Sequence, residues 1–508
     1  MAAHNQIMLS VAQSCCQPDA APALGALALV AHWQWSWILS ALAFAAALAA
    51  SAHALIYKRE PRSAALWTVV IWLVPTVGPI LYLLFGINRI RRRASALRED
   101  MVRCQTPSQL QMDAAKTGVG TGSADEPLAK LASLVERVTQ RPLLHGNHIE
   151  PLINGGEIFP AMIEAIEKAR SSVALASFIF DGTGIGARFV EALDRARRRG
   201  VAVRVLIDDV YVRVSRSSAF KPLRRAGVPV AVFNPPLVPA RLQAAQLRNH
   251  RKLLIVDGRT GFTGGANIFK PYWRPEAPDL AQRDLHFRIR GPVVRHLAEV
   301  FADDWQFTTG EALRDEKWLP ELDPMGDMAA RGFEAGPDES LDRLRWVFIG
   351  GINAARKTVR VWTPYFIPDT ALIAALNAAA LRGVEVDILL PAESDHGAVQ
   401  WAATAQLWQV LEHGCRVWWN AGPFDHSKLL LVDGAWATFG SANWDARSLR
   451  LNFEFNVECY SRELGSRLET MFLNCRAAAR PVTLREVNAR PWPVKLRDGA
   501  ARLFAPYL

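Results

Sequence analysis

The chain has 508 residues, which is enough for two or three domains, and half of its residues are hydrophobic. Its formal net charge is +10, which suits an anionic partner, either nucleic acid or an acidic membrane surface. The six cysteines are scattered without the spacing of a zinc site or of a disulfide framework. Composition therefore excludes a small disulfide-stapled protein and gives no reason to expect a metal.

Two apolar runs near the N-terminus, Trp37 to Tyr57 and Ala64 to Gly86, predict membrane insertion. Each reaches the ~20 residues that a transmembrane helix needs. No Lys or Arg precedes Lys58, so the charged start of a signal peptide is missing. The two runs predict a transmembrane helical hairpin, and Pro75 and Pro79 predict a kink or a re-entrant second helix.

Basic residues on either side of the second run predict the orientation. Three lie in the short loop before it and five follow it: Lys58, Arg59 and Arg62, then Arg89, Arg91, Arg92, Arg93 and Arg98. Positive-inside counting places the second group, and the body that follows, in the cytoplasm. Residues 1–93 are thus predicted as the membrane segment, and the polar, Gly-containing residues 94–126 as a linker.

Two similar stretches follow the linker, residues 127–327 and 328–508. In each, helices alternate with continuous apolar strands. The predicted helices are 158–169, 186–199, 341–355 and 372–381, and the predicted strands are 173–180, 201–207, 359–362 and 384–390. Such strands are typical of a sheet buried on both faces. The sequence predicts an α/β protein of two tandem halves that form a pseudo-two-fold body.

One short pattern occurs once in each half. His250 and Lys252 are followed by an apolar run and Asp257, and the second copy is His426, Lys428 and Asp433. A Gly/Ser turn and an asparagine follow, and the asparagine stands 17 residues after the histidine in both copies: Gly264-Gly265-Ala266-Asn267 and Gly440-Ser441-Ala442-Asn443. Chance produces a single copy in roughly a few chains per hundred. Two complete copies predict one site built from two half-sites.

The residue types fit phosphoryl chemistry. Neutral imidazole is a nucleophile near pH 7, and the opposite imidazole serves as general acid and base. Lys252 and Lys428 would neutralise a phosphodiester, Asn267 and Asn443 would donate hydrogen bonds to it, and Ser441 is a further candidate phosphate contact. No metal or other cofactor is expected, because two lysines supply the cations. Asp257 and Asp433 complete the catalytic motif, although each precedes a glycine and is interpreted as a turn residue.

These stretches resemble the phospholipase D superfamily, and within it the bacterial cardiolipin synthases. The resemblance is carried by residues 248–258, 283–292, 363–368 and 447–454 and runs from about Pro142 to the C-terminus. It implies His250 as the nucleophile and His426 as the general acid/base. It also implies one histidine-orienting carboxylate in each half, Asp284 for His250 and Glu454 for His426.

The resemblance implies a phosphatidyltransferase in the bacterial plasma membrane. Two molecules of phosphatidylglycerol, an anionic phospholipid, would give cardiolipin and glycerol through a phosphatidyl-histidine intermediate. The same chemistry leaves open a phospholipase D-type hydrolase, or a headgroup transferase that uses phosphatidylethanolamine or another phospholipid. Two departures from the family pattern could change the donor or the acceptor lipid. An acidic residue common in the family is absent at Ala176, and Asp425 stands where the family commonly has an apolar residue.

Two other functions are weighed against lipid synthesis. A nuclease would suit the basic charge, but the hydrophobic hairpin argues against a nucleic-acid substrate. A catalytically dead membrane scaffold is disfavoured because both half-sites are complete.

Overall fold

The structure is a computed structural model that describes residues 21–58, 61–86, 126–233, 248–337 and 342–503. The chain forms two compact units, Met1–Arg89 and Ile90–Leu508. All but the last residue of the predicted linker, and the five arginines that predict the orientation, lie outside the described residues.

The N-terminal unit consists of apolar helices: α1 (Ala21–Tyr57), α2 (Pro61–Leu73), α3 (Gly78–Leu81) and a π-helical turn, Tyr82–Gly86. Among the described helices, one segment, Trp37–Tyr57, is long and apolar enough to cross a membrane. The second predicted span is interrupted after Leu73, near Pro75, which lacks a backbone N–H and clashes with the preceding turn. Helices α1 and α2 pack together through Ala47 and Ile71. One span is therefore supported, and the two-span hairpin stays a prediction.

The first half of the second unit contributes strands β1 to β7: Leu144–Ile153, Ser172–Ser177, Ala202–Asp208, Val230–Phe233, Leu253–Val256, Thr260–Gly264 and Leu285–Arg290. Its helices are α4 (Glu126–Thr139), α5 (Asn154–Lys168), α6 (Ile185–Arg198), α7 (Asp209–Val214), α8 (Phe220–Arg225) and α9 (Val294–Thr309). Short 3-10 helices cover Lys270–Tyr272 and Pro278–Leu280.

The second half contributes strands β8 to β15: Met328–Ala335, Thr358–Trp362, Glu385–Pro391, Arg416–Asn420, Leu429–Val432, Trp436–Gly440, Glu454–Tyr460 and Arg480–Val482. Its helices are α10 (Arg343–Ala354), α11 (Thr370–Leu381), α12 (Gly397–Thr404), α13 (Trp408–Leu411), α14 (Ala446–Arg450), α15 (Arg462–Ala477), α16 (Leu484–Asn488) and α17 (Trp492–Leu503).

The strands form one sheet whose order is symmetric about its middle: β15-β11-β10-β9-β12-β13-β14-β8-β1-β7-β6-β5-β2-β3-β4. Outward from the antiparallel β1–β8 junction, both halves show the same succession, and β15 alone has no counterpart among the described strands. This order confirms the predicted α/β fold of two related halves.

The two halves share a core at the junction. Phe287 on β7 stacks on Phe439 on β13 with ring centroids 3.5 Å apart, and both rings are fully buried. In addition, α4 packs on the second half, where Leu131 and Val135 join the cluster around Phe348. Helix α4 lies at the start of the stretch that the sequence assigns to the first half, and it completes the core of the other half. This shared packing fixes how the first half and the second half are oriented relative to each other.

Candidate active site

Each motif lies immediately before an inner strand, His250 and Lys252 before β5 and His426 and Lys428 before β12. Side chains two residues apart in an extended segment point to the same side. The four side chains lie in the interior, with His250 and His426 only 8% and 6% exposed. The arrangement places a histidine and a lysine together in each half.

Short parallel bridges connect the two halves at this point. Asn249 pairs with Phe453, and Asp425 pairs with Arg283. The backbone N–H of His250 donates to the carbonyl oxygen of Phe453, and that of His426 donates to Arg283, both at 2.9 Å. Phe453 and Arg283 immediately precede the two candidate carboxylates, so each histidine is fastened beside the acid of the opposite half.

The predicted assignment of carboxylates to histidines is wrong, because the pairs form between halves. His250 Nδ1 lies 3.0 Å from both carboxylate oxygens of Glu454, and His426 Nδ1 lies 3.1 Å from Asp284 Oδ2. Sequence order suggests pairing within a half, whereas the backbone bridges impose the crossed arrangement. Both acids are fully buried, and each histidine is left with Nε2 for chemistry.

The two lysines hold the histidine backbone. Lys252 Nζ donates to the carbonyl oxygen of His250 at 2.7 Å, and Lys428 Nζ donates to that of His426 at 2.5 Å. Burial lowers the pKa of Lys252 to about 7, with the nearby Lys428 charge adding to the effect. Burial likewise lowers the pKa of Lys428 to about 8. An ammonium group has three donors, so each lysine keeps protons for an anion.

The carboxylate of Glu454 is surrounded by donors from its own half. Ser441 donates to Glu454 Oε2 at 2.5 Å, Ser448 donates to Oε1 at 2.8 Å, and Asn452 Nδ2 donates to Oε1 at 3.2 Å. Although burial opposes ionisation, the contact with His250, the charge of Lys252 and the hydrogen bond from Ser441 keep the pKa of Glu454 below its usual value. Glu454 is therefore an anion at neutral pH.

Ser441 does not have the predicted role. Its hydroxyl proton goes to Glu454, its oxygen accepts from the backbone N–H of Phe455 at 3.0 Å, and its side chain is fully buried. The predicted contact of Ser441 with phosphate is therefore replaced by a contact with the carboxylate of Glu454. Sequence reasoning missed Ser448 and Asn452, although two hydrogen-bonding residues shortly before Glu454 were a usable signal.

Asp284 has a poorer set of partners than Glu454. Besides His426, it accepts one bond from the part of the chain that the structure describes, that of the backbone N–H of Leu285 at 2.8 Å. Gly265 stands where the second half has Ser441, and a Cβ there would lie only 2.2 Å from Asp284 Oδ1. Burial raises the pKa of Asp284 to about 8, against the opposing charge of Lys428. The two carboxyl groups thus differ in charge at neutral pH.

Both imidazoles are neutral in this site. Burial lowers the pKa of His250, and Glu454 opposes this effect only in part. Burial, together with the two lysine charges, places the pKa of His426 well below its usual value. A neutral His250 whose Nδ1–H is held by anionic Glu454 presents a lone pair at Nε2. That is the form a nucleophile requires.

The asparagines are buried beside the histidines. Asn267 Oδ1 accepts from the backbone N–H of Ile179 at 3.3 Å. Burial raises the pKa of Asp445, and a side-chain hydrogen bond from Asn443 opposes this effect in part. Asn443 Oδ1 has no partner among the described residues. Their predicted contact with phosphate stays a prediction.

Asp257 and Asp433 are turn residues, as the sequence indicates, and a catalytic role for them stays a prediction. Both adopt positive φ, 54° and 52°. Their carboxylates accept backbone N–H groups at the start of β2 and β9: those of Arg170, Ser171 and Ser172 for Asp257, and those of Arg356, Lys357 and Thr358 for Asp433. Each carboxylate therefore closes a strand end, because it satisfies N–H groups that would otherwise lack partners.

Aromatic rings flank the histidines differently in the two halves. Phe178 lies 5.1 Å from the His250 ring, measured between centroids, whereas Tyr365 and Phe424 lie 6.1 and 5.8 Å from His426. Among the residues that the structure describes, no group of three or more His, Cys, Asp or Glu side chains could hold a metal ion.

Comparison with known proteins agrees with this fold. Residues 162–305 and 348–476 match the family described as "Cardiolipin synthase, PLD-like domain", and residues 45–86 match "Phospholipase_D-nuclease N-terminal". The cardiolipin synthase of Geobacillus sp. strain WCH70 is 32% identical, and the alignment covers 89% of this chain and 90% of that protein. The major cardiolipin synthase ClsA of Bacillus subtilis strain 168 is 31% identical, with 89% and 95% covered.

A solved structure shares the fold. The phosphatidylserine synthase of Haemophilus influenzae Rd KW20 superposes with a TM-score of 0.59 at 16% identity, over 75% of this chain and all of that one. Fold, site and relatives together define a phosphatidyltransferase of the phospholipase D type. The chain belongs to the bacterial cardiolipin synthase family. This family and the apolar Trp37–Tyr57 helix also indicate a membrane protein.

Replacing Asp433 with alanine should lower stability and leave the chemistry intact. The change removes the acceptor of three N–H groups and places alanine at positive φ, so we expect a loss of about 2 kcal/mol or more in the free energy of unfolding. Activity per folded molecule should be unchanged. Asp433→Asn, which keeps an acceptor and tolerates positive φ, is the matched control. An alanine variant as stable as the parent but inactive would restore a catalytic role to Asp433.

Proposed function

We propose that the protein is a cardiolipin synthase that transfers a phosphatidyl group from one phosphatidylglycerol to the free glycerol hydroxyl of another, with release of glycerol. The observation that carries the proposal is the crossed pair of His–carboxylate contacts, His250 with Glu454 and His426 with Asp284, in a buried site with two lysines. The names of the relatives supply the reaction.

In the first step His250 Nε2 attacks phosphorus, and the bond from phosphorus to the glycerol oxygen breaks. Anionic Glu454 stabilises the positive charge that develops on His250. His426 donates its Nε2 proton to the leaving oxygen and takes a proton at Nδ1 from Asp284, whose raised pKa keeps it protonated near neutral pH. The products of the step are a phosphatidyl-histidine and free glycerol.

In the second step the hydroxyl of another phosphatidylglycerol gives its proton to His426 Nε2, and Nδ1 returns a proton to Asp284. The alcohol oxygen attacks phosphorus, the bond from phosphorus to His250 breaks, and cardiolipin leaves. The different charge states of Glu454 and Asp284 support His250 as nucleophile and His426 as acid and base, which is the order that the family resemblance implies.

Lys252 and Lys428 neutralise the phosphodiester, and Asn267 and Asn443 are proposed to donate hydrogen bonds to its oxygens. At an effective dielectric near 20, a charge pair at ~4 Å contributes on the order of 4 kcal/mol. This contribution accelerates the reaction where the contacts are stronger in the transition state than in the bound substrate. Burial of both histidines limits access of water, which favours transfer to an alcohol over hydrolysis.

The protein is proposed to lie in the bacterial plasma membrane with its catalytic body in the cytoplasm. The support is the apolar Trp37–Tyr57 helix and the positive-inside rule applied to the arginines that follow residue 86. A multi-pass arrangement is part of this proposal.

The reaction is tested with purified protein in phosphatidylglycerol vesicles. Mass spectrometry should detect cardiolipin and glycerol in equal amounts, and neither should form with His250→Ala or His426→Ala. Phosphatidic acid as the sole product would replace the proposal with a hydrolase. Turnover that begins only when phosphatidylethanolamine is added would change the donor or acceptor lipid.

The roles of the two histidines are separated by a phosphatidyl donor with a p-nitrophenol headgroup, whose departure needs no proton. His426→Ala should still release about one nitrophenol per enzyme in a burst, while cardiolipin synthesis from phosphatidylglycerol falls about 100- to 10,000-fold. His250→Ala should show no burst. A burst from His250→Ala and none from His426→Ala would exchange the two assignments.

The lysines predict an alkaline limit to activity. A lysine must be protonated to neutralise phosphate, and the pKa values of Lys252 and Lys428 are lowered to about 7 and about 8. The profile of kcat/KM, which reports the free enzyme, should therefore fall as pH rises through 7 to 8.

Lys252→Arg is the diagnostic variant for this limit, because arginine keeps its charge to a pH above ~12. The remaining limb should follow Lys428 and move toward pH 8. Asp433→Asn should not move the limb. An alkaline limb that stays in place in Lys252→Arg would show that Lys252 does not set it.

A further inference from the structure

The C-terminal helix α17 presents an apolar stripe that no described residue covers. Trp492, Leu496 and Leu503 are 75%, 65% and 79% exposed. They stand four and seven residues apart, a spacing that places them on one side of a helix. On this side of the helix, Gly499 lies between Leu496 and Leu503, so no polar side chain interrupts the stripe.

An ion pair on the opposite side of the helix fixes this orientation. Asp498 is 1% exposed and accepts hydrogen bonds from Arg490 and Arg497, the latter at 2.7 Å. At 3.6 residues per turn, Asp498 lies roughly 200° around the helix from Leu496. A buried carboxylate that loses its partners is strongly destabilising, so the helix cannot rotate to hide its stripe.

The helix lies close to the His426 half-site. Ala501 packs on the small cluster formed by Ile367, Val399, Ala402 and Ala403, and the Arg497 guanidinium lies 4.3 Å from the ring centre of Trp401 on α12. Tyr365 packs on the same cluster, and its ring lies 6.1 Å from that of His426. Two layers of contact thus separate the exposed stripe from a catalytic histidine.

The charges beside the stripe are positive. Lys495 and Arg502 are exposed, and the one carboxylate of the helix, Asp498, is buried and paired. Apolar residues on one face with lysine and arginine beside them are typical of helices that lie in the plane of an anionic membrane surface. Basic residues near such a surface are attracted to its anionic headgroups.

We propose that α17 is an interfacial helix that inserts Trp492, Leu496 and Leu503 into the headgroup region of an anionic phospholipid bilayer and holds the neighbouring His426 half-site against it. The inference rests on the proposed function, because it is lipid substrates that must reach His426. A phosphatidylglycerol would then move its headgroup into the site while its acyl chains stay in the bilayer. The proposed function of α17 differs from that of the apolar Trp37–Tyr57 helix, which would anchor the chain in the membrane.

Photolabelling tests the location of α17 without requiring turnover. The full chain is reconstituted in vesicles of phosphatidylglycerol and a phosphatidylcholine that carries a photoactivatable group on its acyl chain, and the labelled peptides are mapped by mass spectrometry. We expect adducts within Trp492–Leu503. Protection of these residues together with cross-links between α17 helices of two chains would show that a second copy covers the stripe, and would overturn the proposal.

Kinetics test the consequence for catalysis. The variant Trp492→Ser/Leu496→Ser/Leu503→Ser should lose about tenfold in rate on vesicles in which phosphatidylglycerol is dilute, because interfacial binding scales with buried apolar area. Its rate on short-chain phosphatidylglycerol below the critical micelle concentration should equal that of the parent. The matched control is Trp346→Ser/Leu381→Ser, which removes apolar side chains that are 52% and 70% exposed on other helices.

The outcomes separate this proposal from the proposed function. Labelled α17 in a protein that makes no cardiolipin from any lipid would reject the synthase and leave the interfacial helix standing. Normal cardiolipin synthesis with unlabelled α17, or equal rates of the triple variant and the parent on vesicles, would reject the helix and leave the synthase standing. Equal losses on vesicles and on dispersed substrate would also reject it, since they indicate damage to the site.

Discussion

The catalytic arrangement depends on two backbone hydrogen bonds that run between the halves, from His250 N–H to Phe453 and from His426 N–H to Arg283. Each bond places a histidine beside the residue that follows its acceptor, which is Glu454 or Asp284. Neither half contains a complete His–carboxylate pair by itself. The shared core around Phe287 and Phe439 holds the halves at the distance these bonds require. The catalytic geometry therefore depends on packing at the junction.

On this nearly symmetric frame the chemistry is asymmetric. Glu454 receives two hydroxyls and an amide, whereas Asp284 receives one backbone N–H. The difference traces to one pair of equivalent positions, Ser441 in the second half and Gly265 in the first. A side chain at residue 265 would collide with Asp284, so the first half has no hydroxyl there. A longer acid with more donors is held as an anion, and a shorter acid with fewer donors keeps its proton. Duplicated half-sites can thereby take different roles.

The sequence predicted much of this fold because its signals are local. The apolar run Val173 to Phe180 overlaps the buried strand Ser172–Ser177, and the repeated His-x-Lys pattern locates both half-sites. The pairing of acids with histidines could not be predicted, since it depends on hydrogen bonds between residues 204 and 142 positions apart in sequence. Ser441 was misread for the same reason, because nothing near it in sequence shows that its proton goes to Glu454.

The charge balance of the site argues for a phosphodiester over a phosphomonoester. Among the two histidines, the two lysines and the two histidine-bound carboxyl groups, with both histidines neutral and Asp284 protonated, the charged groups are Lys252, Lys428 and Glu454, which sum to a single positive charge. Burial penalises any charge that is left unpaired, and it is the first cause of the lowered lysine pKa values. A monoanionic phosphodiester balances this charge and restores protonation of both lysines. A phosphomonoester dianion would leave an excess negative charge in the same buried space. The charge of these groups therefore favours a phosphodiester over a phosphomonoester.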